Sequence, residues 1–383
     1  MPDKSDAAHA LNFLPYGRQE IGDTDIKAVV EALTSDWLTT GPRVAQFEKA
    51  FAGACGAAHG VAVNSGTAAL HAAMRAVGAG PGDEVIVPAI TFAASANAAV
   101  YEGASPVFCD VEADTLLIDP DKLGALITPR TKAIVAVDYA GQPADYAALR
   151  MLVKGTDIKI VADACHAPGA TYMGCKVGTL GDISCFSFHP VKHLTTCEGG
   201  MALTQDAALA AHMRRFRNHG IDSDHRKREV EGTFAYDMVE LGYNYRLPDV
   251  QCALGMAQLE RLPRWVTQRR AVADWYEEAL AGQNRVVPLK VCADRTHAYH
   301  LYVVRLADGI DRASAFAHLR AKGIGANVHY APVYLHSFYR ARGYDPGLCP
   351  VAEDAYRRLL TLPMFPAMSR GDVERVVEAL ATI

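Results

Sequence analysis

The chain has 383 residues, half of them apolar, which is enough to bury one large hydrophobic core or two moderate ones. Its formal net charge of −5 and the lack of a long basic block argue against nucleic acid as a partner. The nine cysteines are odd in number and form no Cys-x-x-Cys pair, which disfavours a disulfide framework or a zinc cluster. The first fifteen residues show no secretory signal, and no apolar run approaches the roughly 20 residues that span a bilayer. We therefore expect a cytoplasmic protein with no membrane partner and no bound metal.

The first half of the chain predicts alternating helices and strands. Apolar residues at helical spacing between 26 and 33 predict a first helix, and 61–63 is a short strand that enters the next helix through 64–67. Further strands, separated by helix-sized segments, are predicted at 84–87, 107–111, 133–138 and 158–163. This alternation indicates a mainly parallel sheet with both faces covered. Ligands of such sheets bind beyond the carboxyl ends of the strands, where we find Ser65, Phe92, Asp138 and Asp163.

The second half of the chain begins with a glycine-punctuated, β-rich stretch at 174–200, which returns the chain to the sheet. A helix follows, and 218–220 ends it. The charged segment 221–233 has no periodic pattern, so we interpret it as a flexible loop or an inter-subunit arm. Pro248 then opens a long helix.

Beyond about residue 250 the pattern changes to helix, short strands at 299–305, a helix at 313–322 and an extended segment at 326–330. This pattern predicts a smaller α+β domain. We therefore divide the chain into a large ligand-binding domain, 1–250, and a small C-terminal domain, 251–383.

A carboxylate and a lysine stand out in the middle of the chain. A buried strand ends at Asp163, and some thirty residues later a second strand delivers Lys192 into a loop, after the hydroxyl–aromatic pair Ser187-Phe188. This combination suits pyridoxal phosphate, which needs a lysine imine, a carboxylate for its pyridine nitrogen and an anion cradle. Each residue also has an ordinary explanation, because a single lysine is usually a solvated surface charge and an aspartate often closes a strand as a cap.

Three other stretches have both a functional and a structural interpretation. The turn 64–67 joins a strand to a helix through small hydroxyl residues and glycine, so it could bind an anion or merely cap the helix. Phe92 could stack on an aromatic cofactor or belong to the core. The Trp-Leu-Thr-Thr loop at 37–40 could line a pocket or belong to the core. The residues alone leave these alternatives open.

Taken together, the motifs resemble the DegT/StrS-type sugar aminotransferases, a family with the type I, aspartate-aminotransferase-like fold. The matching stretches run in order along most of the chain: 37–42, 65–70, 82–85, 163–167, 186–192, 198–200 and 244–246. The resemblance implies that Lys192 holds pyridoxal 5′-phosphate through a covalent imine and that Asp163 pairs with the pyridinium nitrogen. It also implies a homodimer, in which Asn244 reaches the cofactor phosphate of the neighbouring subunit.

The same resemblance assigns the rest of the cofactor site. The phosphate would be bound by the turn that contains Ser65, Gly66 and Thr67, together with Ser187. Phe92 would stack on the cofactor ring. His166 stands where the family often has glutamine or histidine.

Within the family, the stretches 137–142, 187–192 and 328–334 look closest to the pseudaminic-acid-pathway branch. Its members aminate C4 of a UDP-linked 4-keto-6-deoxy-N-acetylhexosamine, and the family resemblance makes L-glutamate the amino donor. The product would be UDP-4-amino-4,6-dideoxy-N-acetyl-β-L-altrosamine. The implied substrate-binding residues are Tyr16, Asp36, Trp37, Leu38, Thr39, His329, Tyr330, Ala331 and Pro332.

Alternatives to that branch remain open at this level. Another nucleotide-linked 4-keto-sugar, as in bacillosamine or perosamine synthesis, a 3-keto-sugar or an inosose could be the acceptor. A non-catalytic, regulatory member would keep the fold without the reaction. Some family members carry histidine in place of the lysine and catalyse dehydration, and Lys192 argues against that branch.

Overall fold

The computed structural model describes residues 13–223, 228, 230 and 232–383. Its strands are β1 His59–Val63, β2 Glu84–Pro88, β3 Ser105–Cys109, β4 Thr131–Val137, β5 Lys159–Asp163, β6 Thr171–Tyr172, β7 Cys175–Lys176, β8 Ile183–Ser187, β9 Gly200–Thr204, β10 Val286–Pro288, β11 Tyr302–Leu306 and β12 Leu359–Leu362. Its α-helices are α1 Asp23–Leu33, α2 Pro42–Cys55, α3 Gly66–Ala76, α4 Ala94–Tyr101, α5 Pro120–Leu123, α6 Tyr146–Leu152, α7 Ala207–Phe216, α8 Asp249–Leu280, α9 Arg312–Ala321, α10 Ser337–Arg340, α11 Pro350–Arg358 and α12 Arg370–Ala381. Short 3₁₀ turns occur at Gly124–Leu126, Tyr139–Gly141 and Val333–Leu335.

A seven-stranded sheet in the order β1-β9-β8-β5-β4-β2-β3 organises the larger part of the molecule. The pairs from β8 to β3 are parallel, whereas β9 is antiparallel to both of its neighbours. The prediction of a mainly parallel sheet is confirmed. Every strand except β9 therefore ends at the same edge, and β9 begins there.

The strands of the large sheet are apolar along their whole length because successive side chains point to opposite faces and both faces are buried. Val135 and Val137 pack into the core on one face of the sheet, and Ile134 and Ala136 pack into the core on the other. A parallel sheet covered on both faces leaves no strand position for water, so the sequence shows continuous apolar runs instead of alternation.

The C-terminal part forms a second, smaller layer around the antiparallel sheet β10-β11-β12. The predicted helix at 313–322 is present as α9. The extended segment expected at 326–330 is not a strand, because only Asn327 pairs, in an isolated bridge to Thr361. Within this segment, the Tyr330 hydroxyl reaches the large-sheet side, where it lies 3.2 Å from Nε2 of His166.

The long helix α8 links the two parts of the molecule. Leu262 and Trp265, near its middle, belong to the core of the large sheet, while Tyr276 and Leu280, near its end, belong to the core of the small one. The division at residue 250 falls at the start of this helix, and it stays a prediction. The charged segment 221–233 lies partly outside the described residues, and its interpretation as a loop or an arm also stays a prediction.

Two negative findings concern only the residues that the structure describes. Within 13–223, 228, 230 and 232–383, no helix is both long and apolar enough to cross a membrane. Over the same ranges, no cluster of three or more histidine, cysteine or acidic side chains is arranged to hold a metal ion.

Candidate active site

A cavity of about 400 Å³ opens at the carboxyl edge of the large sheet. One side, the sheet wall, consists of residues at or shortly after the ends of strands β1, β2, β5 and β8. The opposite wall comes from two loops of the C-terminal part. The residues that line it are Tyr16, Ser65, Gly66, Thr67, Leu70, Thr91, Phe92, Ala94, Val137, Asp163, Cys165, His166, Ser187, His189, Val191, Lys192, Glu198, His300, His329 and Tyr330.

Asp163 is the last residue of β5 and presents a buried carboxylate to this cavity. The hydroxyl of Ser95 donates to Asp163 Oδ2 over 2.6 Å. Because that proton is committed, the contact of 2.7 Å between Thr91 and Ser95 is donated by Thr91. The backbone N–H of Cys165 lies 3.3 Å from Asp163 Oδ1. These bonds fix the rotation of a buried carboxylate, which would be costly to leave unpaired.

Lys192 follows β8 in the loop that leads to β9, and its amine reaches the same cavity from a different strand. Its Nζ lies 3.2 Å from Nε2 of His300. Burial lowers the pKa of Lys192 from its ordinary value, and the carboxylate of Asp163 opposes that shift. A larger fraction of this lysine is therefore in the neutral amine form than for a lysine in water.

The turn between β1 and α3 forms a tight concave end of the cavity. Ser65 is the N-cap of α3, since its hydroxyl accepts from the N–H of Ala68 at 3.0 Å. A Cβ on Gly66 would approach the Cβ of Ser187 to 2.8 Å, so only glycine lets the two segments come this close. The first N–H groups of α3 have no partner within the helix, and the helix dipole makes this end attractive to an anion.

Aromatic and imidazole rings of the opposite wall meet His166, which comes from the sheet side. The ring of His166 lies 4.4 Å from that of His300 and 6.1 Å from the stacked ring of Tyr330, centroid to centroid. The Tyr330 hydroxyl lies 3.2 Å from Nε2 of His166. Burial lowers the pKa of His166 well below its ordinary value, and the positive charge of Lys192 adds to this shift. His329 also has a lowered pKa, about 4, through burial.

The structure brings most of the sequence-predicted site residues to this one cavity. They are Tyr16, Ser65, Gly66, Thr67, Phe92, Asp163, His166, Ser187, Lys192, His329 and Tyr330. Phe92 keeps 57 % of its surface exposed, so its ring is not a core residue and is open to a ligand.

The other predicted residues do not line it: Asp36, Trp37, Leu38, Thr39, Asn244, Ala331 and Pro332. Asn244 is exposed and forms an isolated bridge with Asn218. The 37–40 loop is held near the start of α8, where the N–H of Asp249 donates to the carbonyl of Leu38 at 3.0 Å. These residues stay predictions for contacts beyond the cavity of one chain.

Sequence reasoning missed two features of the site. Thr91 and Ser95, which orient Asp163, follow β2 but look like ordinary small residues at a helix start. His300 is one of fourteen histidines and is 108 positions from Lys192. Nothing in the local pattern distinguishes it, so only the tertiary structure reveals the contact.

The fold and the cavity together define a class of protein. A parallel sheet that brings a buried carboxylate, a buried lysine and a helix N-terminus to one cavity is the arrangement expected of a type I pyridoxal-phosphate enzyme. Comparison with known proteins agrees. The sequence model of the DegT/DnrJ/EryC1/StrS aminotransferase family matches residues 19–381, so the chain belongs to this family.

Individual relatives cover nearly the whole chain. The spore coat polysaccharide biosynthesis protein SpsC of Bacillus subtilis (strain 168) is 41 % identical over 378 residues, which is 97 % of each chain. The sugar aminotransferase Spr1654 from Streptococcus pneumoniae, in its PMP form, superposes with a TM-score of 0.92 at 33 % identity, covering 96 % of this chain and 98 % of that one. Helicobacter pylori PseC, an aminotransferase of pseudaminic acid biosynthesis, gives a TM-score of 0.90 at 32 % identity over 97 % and 98 % of the two chains. The predictions of a type I fold and of a pyridoxal-phosphate-dependent sugar aminotransferase are confirmed.

Proposed function

We propose that this protein transfers the amino group of L-glutamate to C4 of a nucleotide-linked 4-keto-6-deoxy sugar. The acceptor that we put first is the UDP-linked 4-keto-6-deoxy-N-acetylhexosamine of pseudaminic acid biosynthesis. The observation that carries the reaction type is the meeting of Lys192 and Asp163, from two separate strands, in one cavity. The similarity to H. pylori PseC supports the choice of acceptor.

The residues of the cavity fit pyridoxal phosphate. Asp163 supplies a buried carboxylate that its neighbours hold in one orientation, and Gly66 leaves a cradle that a Cβ would fill. Bound in the cavity, pyridoxal phosphate would accept the electron pair left when a proton leaves the carbon that bears the amine. We assign the phosphate to Gly66, Thr67 and Ser187, with Ser65 shaping the turn, and the ring to Phe92 and His166.

Asp163 would hold a proton on the far side of the cofactor ring. A carboxylate close to a ring nitrogen, in a site with little water, favours the charged, protonated nitrogen. Ser95 contributes indirectly, because its hydroxyl already occupies Oδ2 and keeps the carboxylate from rotating away.

Lys192 would anchor the cofactor and move the proton. Its lowered pKa leaves a larger neutral fraction, and a neutral amine can take a proton from carbon and return it at the next step. General acid–base catalysis of this kind contributes roughly 10²–10⁴-fold to rate.

The acceptor would enter between the aromatic wall and the cofactor. Tyr16, His329 and Tyr330 already border the cavity, and Ala331 and Pro332 continue that loop away from it. We assign the region of Asp36, Trp37, Leu38 and Thr39 to the nucleotide part of the substrate. The cavity of about 400 Å³ is near the small end of the roughly 300–1,000 Å³ typical of ligand pockets, and it would have to hold the cofactor as well as the sugar. We therefore place the nucleotide outside it.

We further propose a homodimer with shared active sites, in which Asn244 contacts the cofactor phosphate of the partner. The exposed position of Asn244 outside its own cavity supports this assignment. Lys192→Ala and Asn244→Ala would each be weakly active alone. A refolded equal mixture should regain about a quarter of wild-type activity, because half of the dimers are hybrids with one intact site each. Recovery no greater than the sum of the two parents would refute the shared site.

Acceptors other than the pseudaminic acid precursor must also be tested, because this chain is more similar to SpsC, a spore coat polysaccharide protein, than to PseC: 41 % against 32 % identity. The experiment is a panel of UDP-, dTDP- and GDP-linked keto-sugars supplied with glutamate, with 2-oxoglutarate and the amino sugar measured by mass spectrometry. The proposal expects the UDP-linked 4-keto-6-deoxy-N-acetylhexosamine to have the highest kcat/KM. A higher kcat/KM for a 3-keto-sugar, or for a sugar linked to another nucleotide, would change the assigned acceptor. If no member of the panel yields an amino sugar, the proposal is contradicted.

A further inference from the structure

His300 lies against the amine that the proposed function depends on. Its Nε2 is 3.2 Å from Nζ of Lys192, and its side chain is buried. The other ring nitrogen, Nδ1, finds no hydrogen-bond partner among the described residues. Buried polar groups are usually hydrogen-bonded, and among the described residues the ring of His300 meets this requirement through Lys192.

The backbone around His300 is fastened from two directions. The buried guanidinium of Arg269, on α8, donates to the carbonyl of His300 at 3.4 Å. From the 3₁₀ turn that follows β4, the carbonyl of Ala140 accepts from the N–H of Leu301 at 3.1 Å. A Cβ on Gly141 would come within 3.0 Å of the His300 N–H, so glycine permits this close approach. These contacts fix the position of the backbone that carries the imidazole.

The charge state of His300 suits it to accept a hydrogen bond. Burial lowers its pKa well below the ordinary value, and the nearby Lys192 charge adds to that shift. A neutral imidazole keeps one nitrogen free to accept from an amine or an ammonium group. The other titratable or charged groups that face Lys192 are Asp163, Cys165, His166, His193, Arg269 and His329.

We propose that His300 is a positioning residue for Lys192: its Nε2 accepts a hydrogen bond from Nζ whenever that amine is free, and so holds it in the cavity. The inference rests on the proposed role of Lys192 and adds a residue from the C-terminal part of the chain to it. Between the two proton movements the freed amine would otherwise rotate through the several rotamers of a lysine, and an anchored acceptor removes most of them.

The test measures how fast full-length, cofactor-free protein captures pyridoxal phosphate as a function of pH. Capture needs the neutral amine, so its rate rises through the pKa of Lys192 to a plateau. His300→Leu removes the acceptor, which destabilises the ammonium form more than the amine. We expect the midpoint to move down by about one pH unit, equivalent to a tenfold change in the ionisation equilibrium. We also expect a lower plateau, because the amine is no longer held in place.

Matched variants separate positioning from a general structural role. His300→Gln places an amide oxygen near the position of Nε2 and should restore the wild-type midpoint, whereas His300→Asn is too short and should behave like His300→Leu. His318→Leu, at a half-buried histidine on α9 whose ring contacts the Thr382 hydroxyl instead of Lys192, should match the wild type throughout. Thermal melting shows whether each variant is folded. If His300→Leu does not fold, the comparison of His300→Gln with His300→Asn decides the result.

Two results would overturn the inference. One is an unchanged midpoint in folded His300→Leu or His300→Asn, and the other is a shift in His300→Gln as large as in His300→Asn. Borohydride reduction and peptide mass analysis identify the captured residue in the wild type. If that residue is not Lys192, the proposed function itself fails, whereas a wild type modified at Lys192 with insensitive variants refutes only the role of His300.

Discussion

The two walls of the cavity are built in different ways. On the sheet side, Asp163 and Ser187 each end a strand, so parallel pairing alone brings them to one edge. On the opposite side, His300 and His329 come from loops of the C-terminal part. The buried Arg269 donates to the carbonyl of His300, and the ring of His329 contacts the Thr361 hydroxyl. Topology therefore positions the groups assigned to the cofactor, whereas long-range packing positions the groups that surround the lysine and the acceptor.

The largest expected effect tests the sheet wall at its lysine. Lys192→Ala removes both the anchor and the proton carrier, so kcat should fall at least 10²–10⁴-fold, about the range for general acid–base catalysis. Lys154→Ala, at an exposed lysine that follows α6, is the matched control and should keep wild-type kinetics. Turnover near the wild-type value in Lys192→Ala would contradict the assignment.

Asp163 tests whether the same wall acts through charge or only through shape. Asp163→Asn keeps the size of the side chain but loses its charge, so we expect kcat to fall about 100-fold, a loss of about 2.7 kcal/mol of transition-state stabilisation. Steady-state kinetics with glutamate measures this loss. Asp163→Ala also leaves the Ser95 hydroxyl without its acceptor and should cost about 1–3 kcal/mol of folding stability.

Ser95→Ala is the control for Asp163, since it loosens the carboxylate without removing it. Its kcat should lie between those of the wild type and Asp163→Asn. Full activity in Asp163→Asn would mean that another group protonates the ring.

Gly66 tests the tightest point of the sheet wall. In Gly66→Ala the new Cβ meets the Cβ of Ser187 at 2.8 Å, so the cradle must widen and the Kd for pyridoxal phosphate should rise about tenfold. Gly53→Ala, on α2, meets nothing within 4 Å and should leave that Kd unchanged. It should also stabilise the protein by about 0.5–1 kcal/mol, because glycine is unfavourable inside a helix. Equal cofactor affinity in both variants would contradict the assignment of the cradle.

The smallest expected effect is a loss of stability in acid, caused by two buried histidines of the C-terminal part, of which His329 lines the cavity. Burial lowers the pKa of His329 to about 4 and that of His297 to about 3. The unfolded chain, with histidine pKa near 6.5, therefore binds more protons than the folded one below that pH, and stability falls as the pH falls. From pH 6.5 to pH 5.5 the free energy of unfolding should drop by about 1 kcal/mol for each such histidine. Urea unfolding at the two pH values measures this drop, and a constant free energy would show that these rings are not buried in neutral form.

The two walls also differ in how far the sequence predicts them. Asp163, Lys192 and the 64–67 turn lie next to strands or helix starts, so local periodicity and the family resemblance both lead to them. His300 follows no such pattern, since its position depends on the approach of Gly141 and on a buried arginine 31 residues away. The segment predicted to be extended at 326–330 forms no regular strand, and side chains of His329 and Tyr330 make tertiary contacts that its local pattern does not reveal.

One measurement tests the central claim most directly: the full-length protein is loaded with pyridoxal phosphate, reduced with borohydride and digested, and the modified peptide is sequenced by mass spectrometry. The account predicts a pyridoxyl group on Lys192, and its disappearance from that residue when glutamate is added before reduction. A modification at another lysine, or one at Lys192 that glutamate does not remove, would contradict it.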